Sequence, residues 1–97
     1  MTVMQNQFVH EPGRLFLEND AHQVVGEILY TEHVDTKVWD VTHTFVDPDF
    51  RGQGIAAQLL DALAELARQE NVKLKPLCVY VKTAFMRESK YDDVKTH

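Results

Sequence analysis

One short segment, residues 51–56, combines residue types that suit the binding of a phosphate group. Its residues are Arg51, Gly52, Gln53, Gly54, Ile55 and Ala56. Glycine lets a ligand approach the backbone closely, and the first N–H groups of a helix have no partner within the helix. Because the helix dipole adds partial positive charge there, a strand, a glycine-bearing turn and a helix start together predict an anion site. Arg51 would add a charge-assisted contact.

The same residues also fit a strand-to-helix turn that binds no ligand, since glycine is common in turns. Two nucleotide-binding motifs do not fit. A dinucleotide fingerprint needs a third glycine and an acidic residue at the end of the next strand, and a Walker loop needs Gly-Lys-Ser/Thr after the turn. Neither pattern follows Gly54. On residue types alone, the anion site and the turn without a ligand both stay open.

Apolar periodicity predicts the elements that would position this loop. Three strand-like stretches precede it, at residues 14–18, 23–31 and 37–46, and the short links between them indicate an antiparallel meander. A helix is predicted after Gly54, ending near residue 70 with Asn71 as its cap. Its apolar stripe consists of Ile55, Leu59, Ala62, Leu63, Leu66 and Ala67.

The rest of the chain predicts one more strand and a short helix. Residues 72–81 are strand-like, but Pro76 lacks the N–H that a central strand donates, so a bulge or an unpaired side is expected. Residues 81–88 predict the helix, and the polar tail from residue 89 is expected to fray. The order predicts an α+β fold, a mixed α/β sandwich in which a meander precedes a strand–helix–strand unit, in a single domain spanning residues 1–97.

Composition restricts the classes of function. The chain has 97 residues and a formal net charge of -5, and an acidic chain without a basic run is a poor nucleic-acid binder. The one cysteine, Cys78, allows no intramolecular disulfide, and the five histidines show no ligand spacing, so no metal is predicted. We find no secretory signal and no stretch near the length of a membrane span, which predicts a cytoplasmic protein that binds no membrane.

The segment around the glycines resembles the acyl-CoA loop of the GNAT superfamily, the GCN5-related N-acetyltransferases, with the signature Gln/Arg-x-x-Gly-x-Gly/Ala. Arg51, Gly54 and Ala56 occupy its three defined positions, and residues 46–52 are similar to the usual approach, Val-x-Pro-x-x-Arg-Gly. The similarity continues at residues 26–30, 43–44 and 76–81. It indicates a compact subfamily, described as YjdJ-type or N-acetyltransferase domain-containing protein 1-like.

The resemblance implies acetyl-CoA as co-substrate and gives each part of it a place. Backbone N–H groups of residues 53–56 would hold the pyrophosphate. The strand edge near Phe45 and Val46 would pair with the pantetheine arm as another strand would. The acetyl carbonyl would lie in the wedge between that strand and the strand that carries Cys78.

Three residues are candidates for the chemistry of acetyl transfer, and each also fits a structural role. Cys78 could accept the acetyl group or bond near the CoA sulfur, or pack as a small apolar side chain. Tyr80, on the same strand face as Cys78, lies near where GNAT enzymes often have a general acid, although a packing role also fits. Histidine exchanges protons near neutral pH, so His43 could be a base. Its alternation with Trp39 and Val41 favours a partly buried side chain, unless a bulge changes the parity.

Three functions therefore stay open. The resemblance implies an N-acetyltransferase that moves acetyl from acetyl-CoA to an amine, either a small amine or a protein lysine. Typical GNAT members have an extra N-terminal strand and helices that build the acceptor pocket, and this chain is too short for them. That shortness favours a non-catalytic CoA-binding or regulatory module. A small protein-interaction domain is the third possibility, because a fold does not determine a function.

Overall fold

The computed structural model describes residues 6–96. Within that range the chain forms five strands and two α-helices, with short 3-10 turns at Pro48–Phe50 and Ser89–Tyr91. The strands are β1 (Gln7–Glu11), β2 (Arg14–Glu18), β3 (Val24–His33), β4 (Val38–Val46) and β5 (Lys73–Pro76). The helices are α1 (Ile55–Glu70) and α2 (Val79–Arg87).

The strands form one sheet in the order of the sequence, β1-β2-β3-β4-β5. The first four strands pair antiparallel, and β5 pairs parallel to β4 after the crossover through α1. An antiparallel meander needs only short turns, whereas a parallel neighbour requires a long crossover, and α1 provides it. The predicted α+β architecture is therefore confirmed, and so is the meander followed by a strand–helix–strand unit.

Helix α1 packs on one face of the sheet because one of its sides is almost entirely apolar. That side contributes six buried residues, namely Ile55, Leu59, Leu60, Leu63, Ala64 and Ala67. They lie in one core with buried residues of the strands, including Ile28, Val41 and Leu74. The helix ends where predicted, since Asn71 takes a left-handed conformation and its N–H bonds back to the last turn.

A close approach between β3 and α1 sets the position of the start of the helix. A Cβ placed on Gly26 would lie 2.7 Å from Cγ2 of Ile55 and 3.1 Å from the carbonyl oxygen of Phe45. Any other residue at this position would clash with the Ile55 side chain in the first turn of α1. Gly26 therefore helps to place the loop that precedes α1 beside the end of β4.

Two predictions, the start of the first strand and the end of the last strand, were wrong. The sheet begins at Gln7 rather than at residue 14, because β1 forms a hairpin with β2 through Pro12 and Gly13. The last strand ends at Pro76, and the helix starts at Val79, so residues 72–81 are not one strand. Cys78 and Tyr80 consequently do not share a strand face.

The prediction that the tail frays from residue 89 was also wrong for residues 89–96. Tyr91 and Val94 are buried, and the tail lies along the outer side of β5. The backbone of Leu74 donates to the carbonyl of Val94 and accepts from the N–H of Thr96. Arg68 of α1 forms two hydrogen bonds to the Asp93 carboxylate, at 2.7 and 3.0 Å. The tail is therefore part of the folded domain.

Candidate functional site

The site begins with an irregularity in β4. The cross-strand partner of Leu29 is His43, whereas the partner of Tyr30 is Val41, so Thr42 is an extra residue in the ladder. Such a bulge changes which side chains share a face. Thr42 and His43 are both exposed, and after the bulge Thr44 is partly buried while Phe45 is exposed. The parity of the strand is therefore reversed over the stretch that precedes the loop.

Beyond the bulge, β4 has an open edge. Strand β5 pairs with β4 only from Val38 to Val41, and the backbone N–H groups of Leu77 and Cys78 both bond to the carbonyl of Val41, at 3.0 Å. The chain then turns into α2 instead of continuing along β4. Residues 42–46 of β4 keep β3 as neighbour on one side and have no strand on the other. An extended ligand could use these backbone groups as a strand would.

The loop between β4 and α1 provides backbone donors beside this edge. Asp47 accepts a hydrogen bond from the N–H of Asp49 at 2.9 Å and so starts the short turn at Pro48–Phe50. Gly52 and Gly54 then adopt φ angles of 84° and 74°, a region that glycine enters without steric cost. No side chain caps the N-terminus of α1. Its first N–H groups and the positive end of its dipole are available to an anion.

A cavity of about 650 Å³ connects the open edge and the helix start. Its lining consists of His43, Thr44, Phe45, Val46, Arg51, Gly52, Gly54, Ile55, Ala56, Ala57 and Tyr80. Pockets for small ligands commonly have about 300–1,000 Å³. A Cβ on Gly52 or Gly54 would meet no atom within 4 Å, so the space beside these glycines is open. Arg51 is exposed and forms no ion pair among residues 6–96.

Cys78 lies at the N-cap of α2, across the wedge from β4. Its thiol hydrogen bonds to the hydroxyl of Thr44, with Sγ and Oγ1 3.6 Å apart. Partial burial raises the pKa of the Cys78 thiol, but hydrogen bonds from Thr44 and from backbone N–H groups of Val81 and Tyr80 outweigh it, so the net pKa lies below the ordinary value. A helix N-terminus favours a thiolate in this way.

Tyr80 and His43 line the cavity from two different elements, α2 and β4. Tyr80 belongs to the first turn of α2, and burial raises the pKa of its phenol, with a further increase from the carboxylates of Glu88 and Asp61. The phenol therefore keeps its proton at neutral pH and can donate it. His43 lies on β4 directly after the bulge and is exposed. The geometry brings a proton donor and an imidazole to one cavity.

Most of the residues singled out in the sequence line this one cavity. Two of them do not. Gln53 accepts a hydrogen bond from Gln58 through its backbone carbonyl, and Cys78 reaches the cavity only through Thr44. Thr44 and Ala57 line the cavity although no motif pointed to them. The bulge that turns Thr44 inward leaves no signature in the sequence, whereas Ala57 follows the loop directly and its small size was a usable signal.

Two further properties concern residues 6–96 as a whole. Within this range no group of three or more His, Cys, Asp or Glu side chains is arranged to hold a metal ion. Over the same residues, neither helix combines the length and the apolar character needed to cross a bilayer.

Comparison with known sequences defines the class of protein that this fold and site represent. The profile of the GCN5-related N-acetyl-transferase family matches residues 14–94, and the chain belongs to this family. Protein NATD1 of Xenopus tropicalis is 37% identical over 54 residues, which cover 56% of this chain and 50% of that protein. The match thus spans about half the length of this curated relative.

Solved structures show the same fold. The solution structure of a GCN5-like protein from Staphylococcus aureus has a TM-score of 0.75 and 29% identity, covering 93% of this chain and 87% of that one. A GNAT-family N-acetyltransferase from Escherichia coli, crystallised in complex with CoA, has a TM-score of 0.55 and 22% identity, covering 61% and 35%. The resemblance to the GNAT superfamily stated from the loop is therefore confirmed.

Proposed function

We propose that the chain binds acetyl-CoA in the cavity between β4 and α1 and transfers the acetyl group to an amine. One observation carries this proposal. The open edge of β4 and the uncapped start of α1 line the same cavity, so a ligand that is extended at one end and phosphorylated at the other would satisfy both. Family membership and the CoA complex of the Escherichia coli protein with this fold support it.

Each part of acetyl-CoA would bind the residues of the cavity that match its chemistry. The pyrophosphate would accept hydrogen bonds from backbone N–H groups of the first turn of α1, with Arg51 as an additional cation. The amide groups of the pantetheine arm would pair with backbone groups of Phe45 and Val46 at the open edge. The thioester would then lie in the wedge, near the bulge and the start of α2.

The residues around the wedge could divide the work of acetyl transfer. The amine nitrogen forms a bond to the acetyl carbon, the carbon–sulfur bond of the thioester breaks, and the amine must lose one proton while the CoA sulfur gains one. His43 would take the proton from the amine, directly or through water. Tyr80 would supply the proton to the sulfur, because its pKa is raised and the phenol is protonated.

Cys78 has two possible parts in this scheme. Its lowered pKa and its hydrogen bond to Thr44 would allow a thiolate to accept the acetyl group before the amine does. Alternatively, it holds Thr44 in position and takes no acetyl group. Mass measurement of the protein after exposure to acetyl-CoA distinguishes the two, because a gain of one acetyl group on Cys78 occurs only in the first case.

A second function, CoA binding without turnover, is favoured by one observation. Strands β1 and β2 are joined directly through Pro12 and Gly13. The helices with which typical GNAT members build the acceptor pocket are therefore not inserted at this point of the described chain. Under this alternative the cavity and the loop keep their roles, and His43 and Tyr80 have no chemical one.

A CoA-release assay separates these possibilities. The purified chain is incubated with acetyl-CoA and a panel of amines that includes spermidine, aminoglycosides and lysine-containing peptides, and free thiol is measured over time. Amine-dependent thiol release that falls in Tyr80→Phe supports the enzyme, provided that the variant binds acetyl-CoA as the wild type does. Binding of acetyl-CoA without any thiol release or acetylated product would favour the binding module.

A further inference from the structure

The outer face of α2 carries apolar side chains that are exposed and that the proposed function does not use. Val79 is 76% exposed and Met86 is 86% exposed, and Lys82 lies between them at helical spacing, so the three share one face. Single exposed apolar residues are ordinary, whereas a group of them on one surface indicates a contact site. Among residues 6–96 seven large apolar side chains are exposed, and four of them lie within ten positions, namely Leu77, Val79, Tyr80 and Met86.

A groove of about 500 Å³ adjoins this face of α2. It is lined by Pro76, Lys82, Phe85, Met86, Lys95 and Thr96. No Asp or Glu of the described residues belongs to this lining. The ammonium of Lys95 lies 2.8 Å from the carboxylate of Asp92, whereas Lys82 forms no ion pair within residues 6–96. Val79, Lys82, Met86 and the groove beside them form a concave, apolar and basic surface, which we call the α2 patch.

The α2 patch lies in the basic part of an otherwise acidic chain. Residues 73–97 carry six Lys or Arg and three Asp or Glu, whereas residues 1–72 carry four and twelve. Complementary charge steers the approach of a partner and disfavours partners of like charge. The electrostatic complement of the α2 patch is therefore a segment rich in Asp and Glu, and its exposed apolar side chains require that this segment be apolar as well.

The α2 patch begins at the closed end of the wedge. Val79 follows Cys78, whose thiol bonds to Thr44 of β4, and precedes Tyr80, which lines the larger cavity. A segment bound on the patch would therefore lie beside the place proposed for the thioester. Because β1 and β2 are joined directly through Pro12 and Gly13, an acceptor needs a surface other than helices inserted at that point.

We propose that the α2 patch docks an acidic, apolar segment of the protein that carries the acceptor amine. This inference rests on the proposed function, and it selects a polypeptide acceptor over a small amine. Apolar side chains of the segment would pack against Val79 and Met86, and its carboxylates would approach Lys82 and Lys95. An anionic membrane surface fits less well, because lipid-binding basic segments carry about four to eight Lys or Arg, whereas two line the groove.

Two lysine-containing peptides of equal length test this inference. One has Glu and Leu around its lysine, and the other has Gln and Ser in their place. In amide NMR of the labelled chain with CoA, the first peptide should shift residues 79–86 and the second should not. In an acetyl-transfer assay kcat/KM should be at least about fivefold higher for the first peptide, the size expected for one exposed ion pair with its apolar contacts.

Variants on the exposed surface separate the two contributions. Lys82→Glu and Met86→Ser should each lower kcat/KM for the Glu–Leu peptide about fivefold and leave acetylation of spermidine unchanged. Val34→Ser is the matched control for Met86→Ser, because Val34 is 85% exposed but lies between β3 and β4, outside the patch. Lys37→Glu, next to β4, repeats the charge reversal away from the patch. Both controls should keep the wild-type values.

The results that count against docking differ from those that count against the proposed function. Equal kcat/KM for both peptides, peptide acetylation without shifts at residues 79–86, or equal losses in Met86→Ser and Val34→Ser would overturn the docking role and leave the cavity intact. Binding of the Glu–Leu peptide without its acetylation would overturn the acceptor role. Shifts at residues 79–86 caused by phosphatidylserine vesicles and not by the peptide would assign the patch to a membrane instead. Failure of the wild type to bind acetyl-CoA, measured before any peptide is added, would overturn the proposed function itself.

Discussion

The Sγ atom of Cys78 lies 3.6 Å from Oγ1 of Thr44, and this contact joins the start of α2 to the open edge of β4. The two residues are far apart in the sequence, and the contact forms where β4 no longer has β5 as a neighbour. Strand β4 bulges at Thr42, and β5 stops at Pro76. The contact therefore marks the closed end of the wedge.

The hydrogen bond to Thr44 should control the reactivity of the Cys78 thiol. The folded-state pKa of this thiol lies below its ordinary value of 9.0, and Thr44 stabilises the thiolate. The thiolate is the nucleophile, so the rate of alkylation by iodoacetamide should rise with pH. The midpoint of this rise should lie below pH 9.0. Thr44→Val should move the midpoint to higher pH, because the hydroxyl is lost at nearly constant volume.

Thr42→Val is the matched control for this experiment. Thr42 also carries a hydroxyl on β4, but it bonds to the carbonyl of Leu29 at 3.4 Å and not to Cys78. The midpoint of alkylation should therefore match that of the wild type. An unchanged midpoint in Thr44→Val would show that the hydroxyl does not set the thiol pKa.

Substitution of Gly54 should weaken CoA binding without unfolding the chain. Gly54→Ala places a methyl group in the open space beside the first N–H groups of α1 and costs about 1 kcal/mol, because alanine is disfavoured at this positive φ. The affinity for CoA should fall at least about tenfold, measured by calorimetry. Asn71→Ala strains the other end of the same helix, where φ is 61°, and should leave affinity unchanged. Equal loss of affinity in both variants would indicate a general loss of structure.

The contact between Gly26 and Ile55 should be visible as a coupling energy. Gly26→Ala would force Cγ2 of Ile55 out of its place and should reduce the free energy of unfolding by about 1–3 kcal/mol. Ile55→Ala removes that methyl group and costs about 2–4 kcal/mol. Because the shorter side chain makes room, the double variant should lose less than the sum, as measured by urea denaturation. Additivity within about 0.5 kcal/mol would mean that the two positions do not interact.

The docked tail should contribute to stability. Val94 is 1% exposed, and Val94→Ala should lower the free energy of unfolding by about 2 kcal/mol, since two buried methylene equivalents are lost. Val34 is 85% exposed, and Val34→Ala should change it by less than about 0.5 kcal/mol. If Val94→Ala had as little effect as Val34→Ala in urea denaturation, the tail would not pack on β5 in solution.

Apolar periodicity was sufficient to predict the strands in which buried and exposed residues alternate regularly. The predicted strands at residues 14–18, 23–31 and 37–46 differ from β2, β3 and β4 by two residues at most. Strand β1 gave no such signal, because four of its five residues are exposed on the edge of the sheet. A strand that is held mainly by backbone hydrogen bonds has no apolar alternation to detect.

The end of β5 was misjudged for a different reason. Leu77, Val79 and Val81 are apolar at alternate positions, which is the pattern of a strand. In the structure Val79 is 76% exposed and Val81 is buried with Phe85, at helical spacing. The open edge of β4 cannot be filled by β5 and also remain available to a ligand, so the early end of β5 is part of the site.

The turn before α1 and the start of that helix could be predicted from the sequence, because glycine conformation and helix initiation are local properties. Which other residues line the cavity beside the loop depends on packing between distant parts of the chain. Thr44 enters the cavity through the bulge, and Tyr80 lines it through the placement of α2 on the sheet. Neither property follows from residue types in a short segment.

Titration of the isotope-labelled chain with acetyl-CoA, followed by amide NMR, tests the central claim most directly. The largest shifts should occur at Gly52, Gly54 and Ala56 and along the open edge at Phe45 and Val46, whereas β1, on the far edge of the sheet, should be unaffected. Saturable shifts at those positions would support a CoA site between β4 and α1. No shift there, or shifts confined to other parts of the chain, would contradict it.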